Sequence, residues 1–369
     1  MDPTQEEFVR LSRKYAQNIT QGPTRADLAL APVLPYPDGW SAVAFSGELK
    51  PGSVLTRRLH GEDVVLYRLR NGLVRAVQPY CPHLGSHLGL AKLDGDDLVC
   101  PFHQFAYGPD GACVRTGYGT PPPKASLTSL PVREVNEALF VWWHHDGRAP
   151  DWEIPEIHTI GHLPRRYGTW EMPGHAQEIM ENSVDVGHFG TLHGWAKAEL
   201  PTPVVFGEKT FHVSMRVREK FPLIGESPIN IEVDGYGIGF LHSDSHTPRL
   251  GTRMCTLIMG TMIEPNRMQY RQASRLVFDE PSSLPKPLAR QVSRALSRLL
   301  IGPLIRFSED FTAVDYPIWY SKKYRPHPRL AKGDGPIGPF RHWARQFYPQ
   351  DQDARSLPGP QNSDLARFD

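Results

Sequence analysis

The sequence predicts an α+β chain of two domains, a small all-β domain followed by a larger domain of sheet and helix. Three observations carry this. A length of 369 residues suits two domains of ordinary size. Short alternating segments punctuated by Gly, Pro and Asp run from about Trp40 to His145. Longer alternating segments and then two helical stretches fill the remainder.

In the first domain the alternation places strands at 64–68, 73–77, 97–100 and 139–143. The run from Asp146 to Pro155, rich in Gly, Pro and charge, reads as a linker. A helical segment begins at Gln177, followed by strands at 211–218, 229–233, 253–263 and 269–278. Two helices are expected at 285–300 and 304–322, with Gly302-Pro303 between them. The expected organisation is therefore an extension (1–36, with a short helix near 8–14), a first domain (37–148), a second domain (149–350) and a loose polar tail (351–369). No internal repeat interrupts this order.

Composition narrows the class. Apolar residues make up 40% and charged residues 22%, as in soluble globular proteins, and the net charge of +1 gives no general pull toward nucleic acid or anionic membrane. The polar start and the lack of an 18-residue apolar run point to a cytoplasmic protein. On the segment 286–306, Arg290, Arg294 and Arg298 form a basic stripe, and Leu288, Val292, Leu296, Leu299 and Leu300 an apolar one. That pattern is a helix packed on a sheet with a solvated basic face, and membrane contact is at most peripheral. Four cysteines are too few for a disulfide framework in a chain this long, so paired Cys and His are read as metal ligands.

Cys81-Pro-His83 and Cys100-Pro-Phe-His103 are separated by sixteen residues. Each loop offers one thiolate and one imidazole. Structural zinc knuckles pair like with like. Two adjacent irons want one loop's Cys with the other's Cys, and His with His, and replacing two thiolates by neutral imidazoles raises the reduction potential. The spacing therefore favours a [2Fe–2S] cluster over a Cys2His2 zinc site. His87 reads as an ordinary loop histidine, and Cys113 and Cys255 as packing residues.

A second constellation runs from Glu181 to His193. Asn182, Asp185 and His188 are three apart and would share one helical face. His193 is five beyond His188, about 140° around a regular helix, so the helix must bend or end between them, and Gly190 marks where. Two His and a carboxylate would leave open positions on Fe(II). Asp315 is the expected carboxylate: on helical spacing it shares an apolar face with Phe311, Ile318 and Trp319, where an unpaired charge is costly. Pro317 puts it at a kink or helix end, and geometry alone leaves a salt bridge to Lys322 or Lys323 open. Asp185 reads either as a carboxylate holding the other nitrogen of His188 or as a helix-start Asp.

On these residues the chain resembles the Rieske non-haem iron oxygenases, from about Trp40 to Tyr348. Within them, N-x-x-D-x-x-H-x4-H (Asn182 to His193), D-x-x-I-W (Asp315 to Trp319) and the segments from Asp334 and Phe340 are similar to the branch of 3-ketosteroid 9α-hydroxylases and cholesterol 7-desaturases. Gln104-Phe105, Gly187 and Gly190-Thr191 depart from that branch. The resemblance implies a Rieske cluster on Cys81, His83, Cys100 and His103, and a catalytic Fe(II) on His188, His193 and Asp315. It also implies a helix-grip (START-like) second domain with a deep hydrophobic pocket. It implies a homotrimer in which Asp185 bridges His188 to His103 of a neighbouring subunit.

The activity so implied takes O2 and electrons from a separate ferredoxin or NAD(P)H-dependent reductase to hydroxylate or desaturate a hydrophobic polycycle, a sterol or steroid. The chain has no dinucleotide or flavin fingerprint of its own. Alternatives within the class are an aromatic or alkaloid substrate, or oxidative demethylation. Outside it stand a pure electron carrier, disfavoured by the length beyond residue 145, and a sterol-binding module, disfavoured by the intact second ligand set.

Overall fold

The computed structural model describes residues 34–157, 166–221 and 225–349. The expected helix near 8–14 and the tail beyond 350 lie outside them. The described chain forms two compact units, one of 37–157 with 261–264, the other of the remainder.

The first unit holds three small antiparallel sheets. One orders β1 (Gly39–Phe45), β11 (Ala138–Trp143) and β10 (Val132–Val135). A second orders β2 (Val54–Leu59), β3 (Glu62–Arg68), β4 (Val74–Val77) and β9 (Ser129–Leu130). The third orders β5 (Lys92–Asp94), β6 (Asp97–Val99), β7 (Ala106–Tyr107) and β8 (Cys113–Arg115). Val65, Tyr67, Leu88, Leu98, Phe105 and Tyr107 close a core around Cys81 and Cys100. Buried Arg68 spends its guanidinium on a bidentate pair with Glu134 (2.7 and 2.9 Å) and on the Leu49 carbonyl (2.8 Å), tying the first two sheets together. That arginine holds the Glu134 carboxyl below its ordinary value.

The second unit is built on an antiparallel sheet ordered β12 (Arg166–Pro173), β19 (Arg267–Phe278), β18 (Thr252–Glu264), β17 (Phe240–Thr247), β16 (Gly225–Tyr236), β15 (Thr210–Phe221) and β13 (Ala196–Glu199), with β14 (Val205–Phe206) beside β15. Helices α1 (Ala176–Asn182), α2 (Val186–Thr191), α3 (Lys286–Ala313), α4 (Tyr316–Ser321) and α5 (Ile337–Ala344) complete it.

Two elements differ from expectation. The strand β17 carries Phe240-Leu-His-Ser-Asp-Ser-His-Thr247, with no apolar alternation to reveal it. Its inward residues Leu241, Ser243, Ser245 and Thr247 face a cavity and not a packed core. The two helices expected to part at Gly302-Pro303 are one helix, α3, which runs through Pro303 and breaks at Val314–Asp315. Proline forfeits one backbone hydrogen bond, a loss that a helix laid along β19 absorbs. The face of α3 turned inward is Ala289, Ser293 and Ser297, and not the leucine stripe. Ser293 Oγ donates to the Phe278 carbonyl and Ser297 Oγ accepts from the Phe278 N–H at 3.2 Å, while Leu288 and Leu299 are exposed. No helix among the described residues is long and apolar enough to cross a membrane.

Candidate functional site: two metal-ligand sets and a cavity

The first set sits on two loops of one design. Residues 81–86 and 100–105 are each flanked by a cross-strand pair, Tyr80 with His87 and Val99 with Ala106. In each, the first residue's N–H donates to the sixth carbonyl (2.9 Å in both), and the fifth N–H donates back to the first carbonyl (2.9 and 3.1 Å). The fifth residue is left-handed in both, Gly85 at φ +73° and Gln104 at φ +54°. Identical backbones explain one Cys per loop; His falls third in one loop and fourth in the other.

Both sulfurs are buried, while His83 and His103 stand half-exposed with ring centroids 4.7 Å apart. His83 stacks on Phe105 at 4.1 Å. The loop after β8 lies over His103: the Gly117 N–H donates to the His103 carbonyl, and a Cβ on Gly117 would meet that oxygen at 2.4 Å. Tyr107, not marked out by the sequence, places its hydroxyl 3.0 Å from Cys81 Sγ.

Burial pushes the Cys81 thiol up, so buried thiolates here need a cation. One tetrahedral zinc would hold its four donors roughly 3–4 Å apart. Among the described residues, donors converge within 4.8 Å in two groups of three or more, and the Cys/His four are not among them. Sulfurs inside and imidazoles outside suit two metal atoms side by side. His87 is structural: Nδ1 accepts from the Gly89 N–H and Nε2 meets Asp63, each at 3.1 Å.

The second set forms where α1, α2 and α4 meet. Asn182, Asp185 and His188 do not share one helix, as expected; α1 ends at Asn182 and Asp185 caps α2 by accepting from the His188 N–H at 3.3 Å. Asp is a strong N-cap, and that preference divides the segment. The segment Gly333–Gly335 packs over the division: a Cβ on Gly335 (φ +84°) would strike the Val184 carbonyl at 2.1 Å, and one on Gly187 would lie 3.3 Å from the Gly333 carbonyl. Arg341 on α5 grips buried Glu181 at 2.6 and 2.8 Å, fixing the end of α1.

The turn still unites the residues. Asn182 Nδ2 lies 3.1 Å from His188 Nε2. His188 Nδ1 donates to the Asp185 carbonyl at 2.5 Å, whereas the Asp185 carboxylate is 3.8 Å away. It is thus the backbone oxygen that fixes the ring, leaving Nε2 as the lone-pair side. Burial raises the Asp185 carboxyl, but contact with His188 outweighs it and holds the group below its ordinary value.

The helix does end between the two histidines, at Thr191, and His193 follows in the turn. Asp315 stands at the helix break as the N-cap of α4, with Pro317 in the first turn. Its buried carboxylate lies 3.3 Å from His193 Nε2, not on Lys322, which pairs with Glu178. Of the apolar face expected around Asp315, Trp319 is buried but Ile318 is exposed. His188, His193 and Asp315 bring one donor each within 4.8 Å of one another, a two-imidazole, one-carboxylate set that fits a divalent iron with open positions.

The other converging group, Asp38, His144 and His145, is a hydrogen-bond hub. Asp38 accepts from the backbone N–H (2.8 Å) and Nδ1 (2.7 Å) of His145, and His144 Nδ1 accepts from the Asp146 N–H, which puts the His144 proton on Nε2, facing Asp38.

A cavity opens from His193, Asp315 and Trp319 along the sheet. It follows β17 from Leu241 to Thr247 and β18 from Ile258 to Thr252, about 20 Å at some 3.3 Å per residue. Met215, Ile229, Ile231 and Val233 make one wall apolar; hydroxyls and Gln272 line the other. Leu241, Met254 and Ile258 line it, whereas Met259 and Met262 are core.

Comparison with known proteins agrees with both parts. Residues 39–148 match the Rieske [2Fe–2S] domain and 141–348 the 3-ketosteroid 9α-hydroxylase C-terminal domain. The cholesterol 7-desaturase of Xenopus laevis is 31% identical, over 85% of this chain and 72% of its own length. A probable 3-ketosteroid 9α-monooxygenase oxygenase component of Rhodococcus rhodochrous is 28% identical, over 87% and 82%. Among solved structures, NdmA of Pseudomonas putida CBB5 superposes with a TM-score of 0.62 at 18% identity, over 91% of each chain, which shows the fold. The chain is a Rieske non-haem iron oxygenase, carrying a [2Fe–2S] domain and a catalytic iron domain. Its branch is the one defined by the 3-ketosteroid 9α-hydroxylase C-terminal domain.

Proposed function

We propose that this oxygenase hydroxylates or desaturates a sterol or steroid, with Cys81, His83, Cys100 and His103 holding the cluster and His188, His193 and Asp315 the catalytic iron. The observation that carries the reading is a two-His, one-Asp set, its Asp315 buried, at the head of a cavity about 20 Å long, the dimension of a fused four-ring skeleton with a side chain. When bound, the two iron groups supply one-electron storage and dioxygen activation against unactivated C–H bonds. The names of the relatives support the substrate class.

The chain's own residues do the rest. The Asp185 carbonyl holds His188 by Nδ1 and keeps Nε2 aimed at the metal position. Asn182 reaches the same Nε2 edge and limits how far the ring swings. Asp315 brings negative charge to a buried point where only a cation balances it. Phe189 stacks on Trp195 at 5.4 Å beside His193, and with the apolar wall excludes water from the reacting end.

Electrons come from a separate reductase, and the working particle is a homotrimer in the cytoplasm. Exposed Tyr80, Leu84, Phe102 and Tyr118 support the trimer: they rim the surface around His83 and His103, where an apolar patch wants a partner. In that particle Asp185, kept ionised by its contact with His188, bridges to His103 of the partner subunit.

The test is His188→Ala. Steroid-dependent oxygen uptake should vanish and one iron per chain should be lost, while the cluster's visible absorption persists. Turnover surviving the substitution would refute the assignment.

A further inference from the structure

Helix α3 spends its buried face on small residues. Ala289, Ser293 and Ser297 turn inward at a spacing of four, and the two hydroxyls bind the backbone of Phe278. Small side chains let the helix lie close on β19, and the larger aliphatic ones are left outside. Leu288, Val292, Ala295 and Leu299 follow at spacings of four, three and four, which is one stripe along a helix. Val292 is half-buried and the other three are exposed, Leu299 at 74%. Beside this stripe runs a second, of Arg290, Arg294 and Arg298, all exposed. Arg290 reaches Glu280 at 3.4 Å. Arg294 and Arg298 meet no carboxylate among the described residues.

A lone surface leucine is ordinary, and so is a basic stripe in water. The two side by side on one solvent face match the two layers of a lipid surface. Guanidinium groups pair with anionic headgroups, and aliphatic side chains next to them enter the acyl boundary. The net charge of +1 gives no general attraction, so a pull toward an anionic surface rests on local clusters of cations such as this one. Place in the fold favours lipid over an acidic protein. An acidic redox partner must reach the cluster, whose proposed ligands belong to the other compact unit. The turns of α3 that carry the stripes lie instead on Phe278, two residues along β19 from Leu276, which lines the cavity.

We propose that the outer face of α3 docks the protein on an anionic phospholipid membrane, where an apolar polycycle dissolves. The docking stands on α3 itself; the use given to it, drawing substrate from the membrane, rests on the steroid reading above.

Vesicles without sterol test it, so that no substrate enters the measurement. The holoenzyme is sedimented with phosphatidylcholine vesicles and with vesicles in which about one lipid in three is phosphatidylserine. Wild type should pellet with the anionic vesicles, stay in solution with the neutral ones, and be released as added salt shortens the Debye length. The double substitution Arg294→Gln, Arg298→Gln should weaken binding about twentyfold, at roughly fivefold for each cation. Leu299→Ser should weaken it about tenfold by removing an inserted side chain. All three positions are exposed, and the cluster's visible absorption reports that each variant is folded and loaded. Turnover of a steroid supplied in free solution should be equal in wild type and variants. Wild type that pellets with neither vesicle overturns the docking. So does Leu299→Ser that binds like wild type, since the contact is then general electrostatic attraction. If the arginine variant binds vesicles normally but loses reductase-driven turnover, the face belongs to an acidic redox partner and the proposal falls. The steroid reading fails on a separate result, wild type without steroid-dependent oxygen uptake.

Discussion

Tyr107 shows how one hydroxyl can tune a redox centre. At 3.0 Å from Cys81 Sγ, its O–H would stabilise charge on a sulfur of the proposed cluster, and charge builds up when such a cluster is reduced. Removing it favours the oxidised state. A hydrogen bond worth about 1 kcal/mol corresponds to roughly 40 mV for a one-electron couple. Tyr107→Phe should therefore lower the midpoint potential by tens of millivolts in protein-film voltammetry; an unchanged or higher potential would contradict the contact. The four proposed cluster ligands stand out in the sequence because each loop is short and local. Tyr107 was not, since it lies 26 residues from Cys81 and only the pairing of β6 with β7 brings it there. The same holds for the role of Asp185: spacing offered its carboxylate to His188, whereas the turn presents its carbonyl.

At the scale of elements, α1 depends on a buried histidine. His175 caps the helix, Nδ1 accepting from the Gln177 N–H and Nε2 donating to the Pro35 carbonyl, both at 3.1 Å. Both bonds suit the neutral ring, and burial lowers its pKa from 6.5 to about 4. The folded state thus resists a proton that the unfolded chain accepts. The stabilisation is complete above pH 6.5 and is lost as pH falls through about 4, up to about 3 kcal/mol by linkage. His175→Asn keeps a capping side chain but does not titrate. The gap in thermal midpoint between wild type and this variant should narrow from pH 7 to pH 4.5; a constant gap would show that the ring is not held neutral. Most long strands were legible from period-two patterning. The strand β17 was not, because a cavity wall of Leu241, Ser243, Ser245 and Thr247 removes the apolar signal that pattern reading needs.

For the whole molecule, the proposed trimer makes the electron route a property of the assembly. In a ring, each cluster serves the iron of a neighbour. Co-expressing Cys81→Ala, which loses the cluster, with His188→Ala, which loses the iron, should then restore activity that neither has alone. Random mixing leaves about one intact cluster–iron contact in four, so turnover should approach a quarter of wild type. Mixed particles with no turnover would place the route inside one subunit. The sequence by itself determined the class and the order of domains and pointed to the seven proposed ligand positions, because metal chemistry demands particular side chains at short spacing and strands repeat every second residue. Only the tertiary structure decided that the two Cys/His loops share one backbone, that α3 runs through its proline to stop just before Asp315, and that Gln272 and the inward residues of β17 line one cavity. Those facts depend on register between distant strands and on which buried donors find acceptors, and neither is written in any local stretch of chain.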